Sequence, residues 1–359
     1  EISACLVGSE MCIRDRKDIM QLLEDWAPSS LAESWDHPGL QVGNPNQPVH
    51  KILVALDMTE LNISYAIDHG VDMVISHHPF LFKPIHDIDL STCKGRMIEN
   101  LIRHRITSFA AHTNLDSAIQ GVNDALAEKL GLQECKGFVP VMTYSSYKFT
   151  LYITAAHAKL LKKKLDSLRG KDIESYYVVD DADDFTENIR VEFRVPGQLV
   201  KQVKDMISSL DKSAKYDVYK LVNHGYKETM GRIGKFPFPM SVEEALSYIK
   251  NKLEIPVLRY AGNRDRLVEK IAILGGAGAE FAGVAKSMGA DLYLTGDLKY
   301  HEAQDAAMNG LVIADGGHFY TERVIIPYLA KRLRDEFKTR GWNVGVLEDV
   351  SCLLYTSPS

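Results

Sequence analysis

The sequence has no apolar run that approaches the roughly 20 residues needed to span a bilayer, and its start lacks the basic-then-apolar layout of a secretory signal. It also has no long basic stripe. A formal net charge of -6 argues against binding to nucleic acid by phosphate neutralisation. These absences predict a cytoplasmic protein with neither a membrane nor a nucleic-acid partner.

Both ends of the chain differ from the rest in having no helical or strand period. They read LVGSEMCIRDR over residues 6–16 and CLLYTSPS over the last eight residues. One stretch of DNA, read on its two strands, encodes Met-Cys-Ile-Arg-Asp and Cys-Leu-Leu-Tyr-Thr. An inverted sequencing adapter that was translated by accident therefore explains both ends, and an ordinary variable tail is the alternative. We expect residues 1–16 and 351–359 to be non-native and to lie outside the fold.

Cysteine gives no sign of a disulfide framework. Three of the five cysteines, Cys5, Cys12 and Cys352, lie in or beside the two unusual ends. The other two, Cys93 and Cys135, have neither CxxC spacing nor a secreted context, so we expect reduced thiols.

Strands and helices alternate on both sides of a central segment with a different pattern. Apolar strands such as HKILVALD are followed by amphipathic helices over residues 17–143, and this alternation returns over residues 222–350. Such a pattern predicts a mostly parallel sheet covered by helices. Residues 144–221 contain two similar strand-helix units whose strands alternate with period two. The sequence therefore predicts a discontinuous, three-layer-type α/β domain with an inserted ferredoxin-like α+β domain, in keeping with the two domains expected for 359 residues.

Polar clusters follow three predicted strands of the α/β domain. They are SHHP with His77 and His78, AHTNLD with His112 and Asp116, and DGGHFYTE with His318 and Glu322. Ligands of open α/β sheets gather beyond the carboxyl ends of the strands, where all three clusters are predicted to lie. His318 and Glu322 are four residues apart, so they would project from one face of a helix. The three clusters can therefore meet in one site.

Imidazole and carboxylate groups together suit zinc, iron, manganese or nickel better than calcium or magnesium. The clusters contain no cysteine, which argues against a structural zinc site. Two metals that share a carboxylate would activate a water molecule as nucleophile and stabilise a developing oxyanion. Each cluster alone has an ordinary interpretation, as a capping feature or a solvated ion pair. Three clusters at three strand ends favour a metal site.

Three further features carry a weaker signal. The segment LGGAGAEF could bind phosphate at a helix start, but Phe281 replaces the third glycine of a dinucleotide fingerprint and no P-loop lysine follows. A tight strand-to-helix turn is therefore favoured. Asp297 and His301 are four residues apart in TGDLKYHEAQDA, and they have either an exposed position at a helix start or a role beside the site. The same two interpretations hold for Asp57, at the end of ILVALD.

With these residues assembled, the chain resembles the GTP cyclohydrolase I type 2 homologues, also called the dinuclear-metal-centre hexameric or Nif-three-like family. The motifs that match in order are SWDHPGLQVG, LVALDMT, ISHHPFLFKP, HTNLDSAIQGVNDALA, GGAGAEF, TGDLKYHEA and DGGHFYTE. This resemblance implies a toroidal homohexamer, two divalent metal ions per subunit, and a PII- or CutA-like inserted domain.

The resemblance also implies which residues bind the two metal ions: His77, His78, Asp116, His318 and Glu322. In that assignment His78 and Asp116 hold one ion, His77 and His318 hold the other, and Glu322 bridges them. The candidates for proton carriers are His112, Asp297 and His301.

Two functions are compatible with such a site. The first is a metal-dependent hydrolase that attacks a carbon or phosphorus centre, as a GTP cyclohydrolase-type enzyme, a phosphoesterase or an amidohydrolase. No guanine-reading motif is visible in the sequence. The second is a non-catalytic, hexameric regulatory or assembly protein that binds a metal or a small ligand. Both functions predict bound metal, so turnover is needed to separate them.

Overall fold

The structure is a computed structural model that describes residues 14–167, 174–179 and 188–349. The predictions for residues 1–13 and 350–359, including those for Cys5, Cys12 and Cys352, lie outside the described residues. Cys93 and Cys135 are both free thiols. Among the described helices, none combines the length and the apolar character needed to cross a bilayer.

The strands of the described residues, in chain order, are β1 (Arg14–Asp15), β2 (Gly39–Val42), β3 (Pro48–Val49), β4 (Lys51–Ala55), β5 (Met73–Ser76), β6 (Thr107–Ala110), β7 (Gln133–Lys136), β8 (Val139–Thr154), β9 (Glu174–Val179), β10 (Asn188–Pro196), β11 (Lys215–Met230), β12 (Arg232–Ser241), β13 (Arg259–Ala261), β14 (Leu267–Ala277), β15 (Leu292–Gly296), β16 (Val312–Asp315) and β17 (Gly345–Asp349).

The α-helices of the same residues are α1 (Arg16–Trp26), α2 (Glu60–Asp68), α3 (Cys93–Arg103), α4 (Thr113–Ser117), α5 (Val122–Lys129), α6 (Ala155–Ser167), α7 (Val200–Leu210), α8 (Val242–Leu253), α9 (Ala282–Ser287), α10 (Tyr300–Met308), α11 (His318–Glu322) and α12 (Ile325–Arg340). Short 3₁₀ turns cover Ser29–Leu31, Gly197–Leu199 and Ala279–Phe281.

The described fold begins ahead of the predicted boundary at Lys17. Strand β1 pairs antiparallel with β3. Arg16 is buried, and its Nη1 donates hydrogen bonds of 2.8 Å to Gln47 Oε1 and Thr107 Oγ1. Residues 14–16 therefore take part in the packing, in contrast to the expectation that they lie outside the fold.

The chain divides into two compact units. The larger unit combines the residues up to Val141 with those from Thr229 onward, and the smaller unit is Met142–Glu228. The inserted segment was predicted at residues 144–221. The smaller unit has the order β8-α6-β9-β10-α7-β11 and one sheet with strand order β11-β8-β10-β9. Its core is built around the stacked rings of Phe149 and Phe193, whose centroids are 5.3 Å apart.

The larger unit contains two main sheets, with strand orders β17-β4-β5-β6-β2 and β13-β16-β15-β14-β12-β7. The first sheet is parallel except for its edge strand β2. In the second, the parallel pairs are β14 with β15 and β15 with β16, and the other three pairs are antiparallel. The predicted mixed α/β architecture is confirmed. The prediction of a mostly parallel sheet is wrong for the second sheet, because the extended segment GRIGKFPFPM forms strand β12, which runs antiparallel to β14.

Helix α5 connects the cores that cover these two sheets. Its residues Val122 and Ala125 pack in one core with α1 and α12, against the first sheet. Leu126 and Leu130, at the other side of the same segment, pack in the core that covers the second sheet. This arrangement allows the loops after β5, β6 and β16 to meet.

Candidate metal centre

The five predicted metal ligands converge from the loops that follow three strands. His77 and His78 come directly after β5, Asp116 lies in α4 after β6, and His318 and Glu322 are the two ends of α11, after β16. Their ligand atoms form two groups, each within 4.8 Å: His78 with His318 and Glu322, and His77 with Asp116 and Glu322. A third group joins His77 and His78 to His112.

An acceptor behind each histidine fixes the orientation of its ring. Nδ1 of His77 donates to the carbonyl oxygen of Ala111 at 2.8 Å. Nδ1 of His78 lies 2.7 Å from Asp57 Oδ1, and Nδ1 of His318 lies 2.7 Å from Asp297 Oδ2. With Nδ1 occupied in this way, each ring turns Nε2 towards the cluster. Metal-binding histidines are generally held by such contacts.

Glu322 contributes to both groups. Its Oε2 lies 3.0 Å from Nε2 of His78 and 3.1 Å from Nε2 of His318. Its Oε1 faces the other group, at 3.7 Å from Nε2 of His77. The same His77 nitrogen lies 3.7 Å from Asp116 Oδ1. The two oxygens of Glu322 therefore face two different groups of candidate ligands.

Two buried polar atoms of this cluster have no hydrogen-bond partner: Nε2 of His77 and Oδ1 of Asp116. Burying polar groups without a partner is costly, and such groups are rare in folded proteins. A cation between these two atoms would satisfy both. The donor set and this deficit therefore fit a divalent metal.

The distances group the candidate ligands differently from the sequence-based assignment. His77 lies beside Asp116, and His78 lies beside His318. The sequence-based assignment placed His78 with Asp116 and His77 with His318. The reason is that Asp57 turns the His78 ring towards His318, whereas Ala111 holds the His77 ring beside Asp116.

The protonation of the cluster without a metal follows from the same contacts. Burial lowers the pKa of His78, but hydrogen bonds with Asp57 and Glu322 outweigh it and raise the pKa to about 10. The pKa of His318 is raised to about 9, again against burial, chiefly by Glu322. Burial raises the pKa of Asp116 to about 6, despite the nearby His77. Although burial opposes it, hydrogen bonding with His318 holds the pKa of Glu322 well below its usual range. Protons therefore occupy the cluster in the absence of a cation.

Gly276, in the segment LGGAGAEF, leaves room for the ligands. Its φ of +68° lies in the left-handed region, and a Cβ there would collide with Glu322 Oε1 and lie 3.3 Å from His318 Nε2. Strand β14 ends one residue later, and a 3₁₀ turn begins at Ala279. A tight turn beside the ligands accounts for this glycine without a bound phosphate.

The three predicted proton carriers occupy different positions relative to the candidate ligands. The ring of His112 has its centroid 5.3 Å from that of His77 and 5.6 Å from that of His78, so it borders the cluster. Asp297 contacts His318 from behind, which makes it an orienting residue. His301 is exposed, and its Nδ1 lies 3.4 Å from Gln304 Oε1 on its own helix. It belongs to none of the ligand groups formed by the described residues.

Asp36 is a residue of the site that the sequence analysis missed. Its Oδ1 lies 3.0 Å from His112 Nδ1, and its Oδ2 accepts hydrogen bonds from the backbone N and the hydroxyl of Thr113. Although burial opposes the shift, these contacts lower the pKa of Asp36 to about 2. The sequence feature that could have indicated Asp36 is the acidic residue of SWDHPG, which is part of a motif that carries the family resemblance.

Comparisons with known proteins agree with the motifs. The family model described as Duf34/NIF3 (NGG1p interacting factor 3) matches residues 14–350. A GTP cyclohydrolase 1 type 2 homolog from Halalkalibacterium halodurans is 33% identical, over 97% of this chain and 99% of the relative. A protein with the same description from Bacillus subtilis is 32% identical, over 92% and 95% of the two chains.

A solved structure, described as that of a Bacillus cereus protein related to NIF3, superposes with a TM-score of 0.84 at 33% identity. The match covers 97% of this chain and 99% of that one. The resemblance inferred from the motifs is therefore confirmed.

Proposed function

Because the chain belongs to the Duf34/NIF3 family, and because three histidines and two carboxylates face one another in it, we propose that it is a dinuclear metal-dependent hydrolase. The observation that carries the proposal is Glu322, whose two oxygens face two different groups of ligands. Its neighbours His77 and Asp116 each have a buried polar atom without a hydrogen-bond partner, which a cation would satisfy.

The residues have separate tasks in this proposal. His77 and Asp116 would hold one divalent ion, His78 and His318 the other, and Glu322 would bind both. Zinc, iron, manganese or nickel ions in such a site supply activated water and stabilise negative charge that develops on the substrate. Asp57 and Asp297 keep Nε2 of their histidines turned inward.

His112 is the residue best placed to carry a proton. It lies at the edge of the cluster, and the Asp36 carboxylate lies beside its Nδ1. In spite of burial, contacts with His112 and Thr113 lower the pKa of Asp36 to about 2. A carboxylate beside Nδ1 fixes the orientation of an imidazole and leaves Nε2 on the other edge of the ring. His112 can therefore take up a proton from a reacting group and release it to solvent, as a general acid–base residue does.

The curated relatives are described as GTP cyclohydrolase 1 type 2 homologs. For this chain, attack on a carbon atom of the guanine ring of GTP is accordingly one proposed reaction. Hydrolysis of a phosphoester or an amide uses the same groups and is proposed on equal terms.

The burial of one ligand group supports a second candidate function. His77, Asp116 and Glu322 are all buried, which suits a metal that is retained permanently. A regulatory or assembly protein that holds metal or a small ligand without turnover would need such a site. The more accessible side chains of His78 and His318 favour the enzyme, because a substrate can approach them.

A turnover screen separates the two functions. Purified, metal-loaded protein is tested with nucleotides, phosphoesters and amides, beside Glu322→Ala and the control Glu243→Ala, whose carboxylate pairs with Arg264 at the surface. Turnover that is lost only in Glu322→Ala supports the hydrolase. Tight metal binding with no turnover on any compound supports the binding protein.

We further infer a homohexamer, a cytoplasmic location, a three-layer larger unit and a ferredoxin-like, PII- or CutA-like middle unit. The family resemblance supports the assembly, and the bulk composition supports the location. The order of helices and strands and the strand order β11-β8-β10-β9 support the description of the middle unit. Sedimentation of the purified chain tests the hexamer.

A further inference from the structure

Two exposed aromatic side chains stand close to the candidate metal centre. Trp35 is 55% exposed and Phe82 is 54% exposed. Their ring centroids are 5.8 Å apart and the ring planes meet at 63°, so the two rings form an open angle. The exposed face of an aromatic side chain can stack against a flat ligand.

A single ring connects this pair to the metal ligands. The centroid of His112 lies 5.8 Å from that of Trp35 and 6.3 Å from that of Phe82. The same His112 centroid lies 5.3 Å from that of His77 and 5.6 Å from that of His78. We call Trp35, Phe82 and His112 the aromatic subsite. A molecule of nucleotide size can span from the aromatic subsite to the metal ligands.

Hydrogen bonds hold the two loops that carry the exposed rings. Gln41 Nε2 donates to the carbonyl oxygen of His37 at 2.9 Å, and Gln41 Oε1 accepts from the backbone N of Leu81 at 3.1 Å. One amide side chain therefore links the loop of Trp35 to the loop of Phe82. Preorganised rings lose little conformational entropy when a ligand binds.

The loop of Trp35 is fixed a second time through Thr113. The backbone N of Glu33 donates to Thr113 Oγ1 at 3.0 Å, and Asp36 accepts from Thr113 N at 3.1 Å. These bonds lie on both sides of Trp35 in the sequence, and Thr113 directly follows His112. The position of the Trp35 ring is thereby tied to the loop that carries His112.

We propose that the aromatic subsite binds the planar nitrogen heterocycle of a substrate whose anionic group reaches the metal ligands. The substrate class is thus a nucleotide-like compound, and Trp35 and Phe82 bind its ring by stacking. This inference rests on the proposed hydrolase, because the metal ligands must be the place where the anionic group binds. Stacking between bases and aromatic side chains tolerates different bases, since every base has a π-face.

The size of the two rings argues for a small ligand over a protein partner. An aromatic side chain buries about 150–250 Å² when it is fully covered. Two half-exposed rings offer an area of the order that one flat heterocycle covers. A stable protein interface buries about 800 Å² per partner, so a protein partner would also have to cover other exposed apolar side chains, such as Ile85 and Ile88.

The test compares compounds that share a phosphate and differ in the base. The metal-loaded full chain is titrated calorimetrically with adenosine, guanosine, cytidine and uridine monophosphates, and with ribose phosphate. We expect at least one nucleotide to bind about 10-fold or more tightly than ribose phosphate, which is the effect of stacking one base. Trp35→Ala and Phe82→Ala should each remove most of this advantage, and Trp35→Phe should keep it.

Phe238→Ala is the matched control, because Phe238 is 59% exposed and lies in strand β12, outside the aromatic subsite. It should leave the preference for bases unchanged, and the metal content should be the same in all variants. Equal binding of nucleotides and ribose phosphate by metal-loaded protein would overturn the inference and leave the metal centre intact. A wild-type chain that retains no metal would instead overturn the proposed function.

Sedimentation adds an independent outcome. If Trp35→Ala dissociates an assembly that Phe238→Ala preserves, and bases give no advantage in the wild type, the two rings are a contact between copies of the chain. That result would overturn the inference. An unchanged assembly together with a lost preference for bases supports it.

Discussion

Nε2 of His78 lies 3.3 Å from Nε2 of His318, across 240 residues of sequence, and a carboxylate holds each ring from behind. Oε2 of Glu322 lies 3.0 and 3.1 Å from the same two nitrogens, so protons are needed to stabilise this arrangement when no cation is bound. A divalent cation bound by both nitrogens would take the place of those protons. Nε2 of His77 and Oδ1 of Asp116 lack a hydrogen-bond partner and lead to the same conclusion.

Removing the carboxylate behind a histidine should weaken metal binding without removing a ligand. We expect Asp57→Asn and Asp297→Asn each to lower the metal affinity by about 10- to 100-fold, the usual effect of losing such a contact. Asp68→Asn is the control, because Asp68 is an exposed residue at the end of α2. Competition with a metal-chelating dye measures the affinities, and an unchanged affinity in both variants would refute the orienting role.

Metal binding should release protons. Contacts with carboxylates raise the pKa of His78 to about 10 and that of His318 to about 9, even though burial opposes both shifts. Both rings are therefore protonated near neutral pH when no metal is bound, and the ion must displace those protons. The apparent metal affinity should rise with pH up to that range. Calorimetric titrations in buffers with different ionisation enthalpies measure the release, and enthalpies that are independent of the buffer would contradict it.

Asn123 links α5 to both halves of the site and should contribute measurably to stability. Its fully buried amide donates to the carbonyl oxygen of Asp116 and accepts from the backbone N of Gly275. Asn123→Leu leaves both backbone groups unpaired, so the free energy of unfolding should fall by about 1–3 kcal/mol. The exposed Asn309→Leu should change it by less than about 0.5 kcal/mol.

Urea denaturation followed by tryptophan fluorescence measures this difference. All three tryptophans of the chain lie in the larger unit, so the signal reports the unit that contains Asn123. Equal losses in Asn123→Leu and Asn309→Leu would show that the two buried hydrogen bonds are not important for stability.

Asp36 should make the larger unit sensitive to acid. Against the effect of burial, contacts with His112 and Thr113 lower its pKa from 3.8 to about 2. A carboxyl group whose pKa is lower in the folded state stabilises the fold at pH values above its unfolded-state pKa. This contribution is lost as the pH falls towards the folded-state pKa. The stability difference between wild type and Asp36→Asn should therefore be full at pH 5 and shrink as the pH drops from about 4 towards 2. A difference that stays constant across this range in urea denaturation would disprove the prediction.

The meeting of the three clusters could be predicted from the sequence because their positions follow from general rules, whereas the choice of candidate ligands within them came from the family resemblance. Parallel strands place their carboxyl ends at one edge of a sheet, which located His77, His78 and Asp116. The spacing of four residues placed His318 and Glu322 on one face of α11. Neither rule requires knowledge of side-chain orientation.

What the sequence did not predict depends on contacts between distant residues. The distances group the candidate ligands differently from the sequence-based assignment because the grouping depends on which acceptor holds each Nδ1, and those acceptors lie in other loops. For the same reason, the sequence could not predict the contact of Asp57 with His78 or that of Asp36 with His112. Nothing in the spacing of Asp297 and His301 indicates that only Asp297 reaches His318, since that contact depends on how the loop before α10 packs against α11.

The metal content of the purified chain tests the central claim most directly. Elemental analysis should find about two equivalents of divalent metal per wild-type chain. In His78→Ala combined with His318→Ala, the group of His77, Asp116 and Glu322 is left intact, so about one equivalent or less should remain. A wild-type chain without bound metal, or a double variant that keeps about two equivalents, would contradict the account.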